Sequence, residues 1–317
     1  MIKIFLLPLL LLLQLQKPDW GFFGHRLINY HAVFLLPPEM LVLYKPHIDF
    51  LAEHAVDPDK RRYAVAAEGP RHYIDIDHYG HYPYDSLPRS WKDASSRYTE
   101  DSLNKYGIVP WWIQTMLHRL TKAFTDKDQA RILKLSAEIG HYIGDAHVPL
   151  HASSNHNGQY TNQRGIHGFW ESRVPELLAE KQWDFFIGRA EYIGQPLQFT
   201  WKRVLESALA ADSVLRFERA LNEKYPPDLK YAFEERNGVL TRQYSMAYTI
   251  DYNNSLNNMV ERRMRQSIYA VASFWYTAWV NAGQPDLKNL LNKNFSEEEL
   301  KEFEALNKEW VKGCGEN

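Results

Sequence analysis

The sequence predicts an all-α fold, arranged as a single multi-helix domain. Apolar residues recur at helical spacing through most of the chain from Pro110 to Asn281. Histidines and carboxylates pair four residues apart, the interval that sets two side chains on one helix face. There is no internal repeat, and no low-complexity segment beyond the N-terminal run. One domain is expected at residues 20–283, with a leader at 1–19 and a tail at 284–317.

The leader has Lys3 ahead of an apolar run from Ile4 to Leu13, broken only by Pro8 and followed by Gln14, Gln16 and Lys17. That run is too short to cross a bilayer, and no later one approaches the ~20 residues required. It reads as an export signal, so the protein is expected to be exported, periplasmic or secreted, with no stable membrane span. The context Lys17-Pro18-Asp19 lacks the small-x-small pattern of a well-marked cleavage site.

From Trp20 to His25 the chain runs into an amphipathic helix that Pro37-Pro38 ends. A second helical segment, near Ile48 to Ala55, stops at Val56-Asp57-Pro58-Asp59, because Pro58 disfavours helix at the residue before it. Arg71 to Asp77 reads as an extended or helical turn carrying site residues, and Tyr79 to Trp91 as an aromatic loop beside the site. Helices are predicted at Pro110–Phe124, Asp126–Ile143, Phe169–Glu180, Trp201–Glu223, Gly238–Asp251 and Asn257–Asn281. Ser296 and Glu299 form a capping box for a last charged helix to about Lys312.

Composition narrows the function. With 37 basic against 39 acidic side chains in 317 residues, no global basic field draws the chain to nucleic acid or anionic membrane. An anionic substrate must be held by local charge. A single cysteine, Cys314, excludes an internal disulfide framework and a cysteine-based zinc knuckle.

The chemistry concentrates between His141 and Glu171. His141 and Asp145 lie four residues apart, as do His167 and Glu171, with His151 between the pairs. Facing helical pairs of imidazole and carboxylate make a metal site of a kind zinc accepts. Ahead of them stand Trp20 and His25 as W-x4-H, and Asp57 and His72 fifteen residues apart. In order and spacing this series resembles the zinc-dependent phospholipase C and S1/P1 nuclease superfamily, from Trp20 to about Gly283.

The resemblance implies three zinc ions in a cleft of an all-helical domain. Asp57, His72, His141 and Asp145 would hold the first, with Asp145 bridging; His151, His167 and Glu171 would hold the second. His25, Asp145 and the free α-amino and carbonyl groups of Trp20 would hold the third, which requires cleavage immediately before Trp20. Three zinc ions against the carboxylates of Asp57, Asp145 and Glu171 leave a surplus of about three positive charges, suited to a phosphodiester and to attack on phosphorus by a hydroxide generated at the metal. Asp75 and Asp77 are the candidates to orient the water or act as general base, with Asp77 favoured. His147 is the best of the remaining histidines for a supporting role, and Arg71 reads as an ordinary salt-bridge partner.

The two branches of the superfamily differ in substrate. W-x4-H with Gly24-His25 looks like the nuclease branch; Glu171 as last ligand and the compact loop from His151 to His167 look like the phospholipase branch. Phe23, where choline-selective phospholipases carry an acid, argues against choline selectivity. The expected function is a monomeric, phospholipase C-like zinc phosphodiesterase. The alternative is a single-strand nuclease of S1/P1 type, and a further one is a secreted zinc-binding protein with little catalysis.

Overall fold

The computed structural model describes residues 21–236, 238–290 and 295–305. It is all-α apart from one hairpin. The helices are α1 (Phe22–Val33), α2 (Pro38–Tyr44), α3 (Ile48–Glu53), α4 (Asp57–Arg61), α5 (Trp91–Tyr98), α6 (Glu100–Tyr106), α7 (Val109–Thr125), α8 (Gln129–His147), α9 (Ile166–Gly168), α10 (Val174–Gln182) and α11 (Pro196–Asn222). Strands β1 (Tyr231–Arg236) and β2 (Val239–Tyr244) follow, then α12 (Met246–Ser255) and α13 (Met259–Asn281). Among the described residues no helix is long and apolar enough to cross a membrane.

Helix α8 is the axis of the fold, packed against α1, α3, α7, α11 and α13. It starts where the Asp128 side chain accepts the Arg131 amide at 3.1 Å and ends before Pro149, so it begins later and runs further than the predicted Asp126–Ile143. Every residue from Ser136 to His147 is buried, because neighbours enclose this half of the helix on all sides. Two glycines on one face admit α1. A Cβ on Gly140 would stand 2.0 Å from Asn29 Oδ1, and one on Gly144 would stand 3.0 Å from His25 Nδ1. Asn29 uses the space to donate to Leu51 O at 2.9 Å and Ala137 O at 3.0 Å, locking α1 to α3 and α8. The Trp275 indole donates to Ser136 O at 2.9 Å, fixing α13 to α8.

A smaller core lies beneath the second half of the site. Leu150, Ile166, Phe169, Val174 and Leu178 pack with Val214 of α11 and with Tyr248 and Tyr252 of α12. This core holds the segment from His151 to Glu171 against the rest of the domain.

Three local expectations are corrected. Residues 239–244, predicted as the start of a helix, form β2 instead. They pair antiparallel with β1 from Tyr231↔Tyr244 to Arg236↔Val239 across a two-residue turn in which Gly238 has φ +77°. The Asn-Gly dipeptide there is a strong hairpin signal, and it outweighs the helical spacing further on. Residues 57–61, read as a helix stop, also start one, since proline fits the first turn of a helix as well as it ends the preceding one. The region after Trp91, left without a helix, forms α5 and α6, capped by Ser90 and Thr99.

The Ser296–Glu299 capping box forms, with Glu299 accepting the Ser296 amide at 2.7 Å and Ser296 Oγ accepting that of Glu299 at 3.2 Å. Phe295 and Phe303 pack on Phe50, which brings the described part of the tail onto α3. The leader at 1–19, Trp20, and the tail beyond residue 305 with Cys314 lie outside the described residues.

Candidate metal centre

The site forms where α1, α8 and the segments around His72, His151 and His167 converge. From α8, His141 and Asp145 project together, both fully buried. The 3₁₀ turn Pro149–Ala152 presents His151, and the helical run through His167 and Glu171 preserves their four-residue spacing. His25 enters from α1 past Gly144 and stacks on His141 with ring centroids 3.9 Å apart.

Asp145 joins these groups. Its Oδ2 lies 3.0 Å from His72 Nδ1 and 3.2 Å from His141 Nε2. Its Oδ1 faces the other way, 3.4 Å from His25 Nε2 and 3.6 Å from His151 Nδ1. One carboxylate therefore serves two neighbouring sets of donors. A third set lies beyond His151, whose Nε2 is 3.0 Å from His167 Nε2 and 3.2 Å from Glu171 Oε2, with His167 Nε2 and Glu171 Oε2 2.6 Å apart.

The donors suit a metal ion. Among the described residues, three groups have ligand atoms close enough to share an ion: His25, His141 and Asp145; Asp59, His72 and His141; and His151, His167 and Glu171. His141 Nδ1 donates to Ala55 O at 2.8 Å and His151 Nδ1 to His72 O at 2.7 Å, which in the neutral rings turns each Nε2 lone pair into the site. Imidazole and carboxylate without thiolate is a donor set that zinc accepts.

The predicted ligand Asp57 is not brought to this cluster. Its carboxylate takes His54 Nδ1 at 2.6 Å and Lys60 Nζ at 3.2 Å. Asp59 stands in its place, with Oδ1 3.6 Å from His72 Nδ1 and 3.7 Å from His141 Nε2. Residues two apart on a helix point in nearly opposite directions, so α4 can offer only one of these acids to the histidines. Helix geometry makes the choice, and sequence spacing does not reveal it.

Glu68 is a second residue that sequence reasoning missed, although it precedes His72 by four positions. It is fully buried, with Oε1 3.6 Å from His72 Nε2, and takes bonds from Arg61 at 3.0 Å, from Arg71 at 2.7 Å and from the Tyr142 hydroxyl. Burial would raise its pKa, but His72, Arg61 and Tyr142 hold it far below the usual range. Glu68 puts a buried negative charge next to the His72 ring without hydrogen-bonding to it, since His72 Nε2 has no hydrogen-bond partner among the described residues. Arg71 is thus a salt-bridge partner, as predicted.

Of the two predicted acids, Asp77 is engaged elsewhere. Its oxygens accept the Ser154 amide at 3.1 Å and the Ser154 hydroxyl at 2.7 Å. Asp75 is half-buried and near enough to His151 for their charges to interact; burial first, then the charge of Asp77, push its pKa up to about 6. His147 is buried against its own helix, Nδ1 donating to Ile143 O at 2.7 Å, and burial beside Arg263 keeps it neutral. Trp20 lies outside the described residues, but Gly21 abuts the site: a Cβ on it would be 2.7 Å from Glu171 Oε1.

The protonation of the metal-free site gives a testable pH dependence. Burial would lower His141 and His151, but Asp145 outweighs it, aided by Asp59 for His141 and Glu171 for His151, and each pKa stands at about 9. Because the folded values are raised, this stabilisation of the metal-free fold is complete below the unfolded value near 6.5 and is lost as pH rises through about 9. Metal binding requires both rings neutral, so below pH ~9 the log of zinc affinity should climb by up to about two per pH unit. Calorimetry in buffers of differing ionisation enthalpy should detect about two protons released on full loading at pH 7. Affinity independent of pH would contradict this protonation scheme.

A cleft of about 950 Å³ opens over the cluster, lined by Asp59, Asp145, His151, His167 and Glu171 on one side and by Tyr231, Arg242 and Tyr244 of the hairpin on another. The family model described as S1/P1 nuclease matches residues 20–282. The chain is also similar to Endonuclease 2 of Arabidopsis thaliana, 24% identical over 229 residues that cover 68% of this chain and 73% of that protein.

Proposed function

From the premise that this chain belongs to the S1/P1 nuclease family, a family of phosphodiester hydrolases, we propose that it is a zinc-dependent nuclease acting on single-stranded nucleic acid. The family match favours this alternative over the phospholipase C-like reading preferred on sequence, and the similarity to a protein named as an endonuclease points the same way. The observation that carries the reading is the two-sided Asp145 carboxylate, with Oδ2 toward His72 Nδ1 and His141 Nε2 and Oδ1 toward His25 Nε2. A protein that merely binds zinc has no need of such a bridge.

Asp59, His72, His141 and Asp145 would hold one zinc, His151, His167 and Glu171 a second, and His25 and Asp145 with Trp20 a third. Bound zinc supplies Lewis acidity at the phosphoryl oxygen and acidifies water so that a nucleophile exists at neutral pH. Asp75, half-buried and within charge range of His151, takes the proton of the attacking water on a carboxylate oxygen. Glu68 binds Arg61, Arg71 and Tyr142 beside the His72 ring, and Asp77 secures the loop at Ser154. Export with cleavage before Trp20 belongs to the same reading, since the third site needs the free amino group.

The test is zinc analysis of exported protein of known N-terminus, followed by assays on single-stranded DNA, duplex DNA and phospholipid. We expect about three zinc per chain and fastest turnover of the single strand. Preferential turnover of phospholipid would restore the phospholipase reading, and protein without zinc would end both.

A further inference from the structure

We propose that the outward face of the β1–β2 hairpin is a subsite for nucleotides flanking the scissile phosphate, where a base stacks on the Arg242–Tyr231 pair and Arg164 meets a backbone phosphate. This rests on the nuclease reading above.

The hairpin has two unlike faces. Register and alternation put Glu234 and Arg236 on one and Tyr231, Phe233, Glu235, Leu240, Arg242 and Tyr244 on the other, Glu235 at the turn end away from Tyr231 and Tyr244. The first is committed to the body of the domain: Glu234 pairs with the buried Arg173, and Arg236 with Glu176 at 2.5 Å. The second is left outward, with Phe233 and Leu240 each 68% exposed. At the site end of this face, Tyr231 and Arg242 line the same cleft as His151, His167 and Glu171.

The platform is packed ring on ring. Arg242 Cζ lies 3.7 Å from the centre of the Tyr231 ring, Tyr231 lies 5.1 Å from Tyr244, and Tyr244 stacks on Phe169 at 3.8 Å. Phe169 in turn stacks on the buried Tyr252 at 4.8 Å. A column of rings thus rises from the smaller core and ends in an exposed guanidinium plane, and a base added there orders little that is not already ordered. Neither Arg242 nor Arg164, which also lines the cleft, has an ion-pair partner among the described residues. Both arginines line the cleft that also holds Asp59, Asp145 and Glu171, the carboxylates that bound metal would neutralise. Flat rings beside unpaired arginine are how proteins hold single strands without reading their sequence.

The test uses the zinc-loaded enzyme with R242A/R164A and, separately, R242K. For the double variant, KM on a single strand of about twelve nucleotides should rise about tenfold, KM on a dinucleotide should change by less than about twofold, and zinc content should hold. The dependence of log KM on log salt should become shallower by about 0.7 for each phosphate no longer engaged. R242K should keep the salt dependence and still lose affinity, because lysine keeps the charge without the plane. Unchanged KM on the long strand, or an equal rise on both substrates, would overturn the subsite. Wild-type enzyme inert on every nucleic acid would instead overturn the nuclease reading and the subsite with it.

Discussion

Asp145→Asn is expected to abolish hydrolysis while leaving the helices formed. The substitution conserves volume, so the packing of α8 against α1 and α13 has no steric reason to change. It removes the one charge that faces His72 and His141 on one side and His25 and His151 on the other. An outer group that only orients a ligand already costs up to about 100-fold in metal affinity when removed, so a shared ligand should cost more, at two positions together. The measurements are zinc content, turnover of single-stranded DNA, and circular dichroism. A second readout isolates the electrostatics: in the metal-free variant, His141 and His151 should titrate below their value of about 9, because Asp145 is the charge that raises both. A folded variant with normal zinc and activity would remove the basis for the shared-carboxylate site.

Asp75→Asn should lower kcat by about 10²–10⁴-fold with zinc content unchanged, the usual cost of losing a general base. Asp77→Asn should cost less than about tenfold, since Asp77 is spent on Ser154 and its loss loosens a loop without removing a proton acceptor. The contrast is the informative quantity. Equal loss in the two variants would mean that Asp75 acts only through the shape of the segment from His72 to Asp77, which is tied to His151 through its backbone. A larger loss in Asp77→Asn would return the role to the acid favoured on sequence.

Much of this protein is legible in one dimension because its key spacings are helical. His141 with Asp145, and His167 with Glu171, are pairs within single helical runs, where four residues guarantee a common face. The helix content, the capping box at Ser296 and the salt-bridge role of Arg71 follow from equally local rules. The hairpin was legible too, in the Asn-Gly at its turn, but helical spacing in the residues beyond masked it.

Sequence by itself determined the all-α class and the residue types, imidazole and carboxylate at helical spacing, that make a zinc and phosphodiester chemistry reasonable. Tertiary structure decided the geometry that sequence left open: Asp59 and not Asp57 lies near His72 and His141, Asp77 is bound to Ser154, Glu68 lies by His72, and the hairpin lines the cleft. The reason is physical. Periodicity constrains side chains only within one element, whereas a choice between two carboxylates two residues apart depends on which direction faces another element. That direction is set when α1 closes onto Gly140 and Gly144 of α8 and the segments of His72 and His151 pair across it.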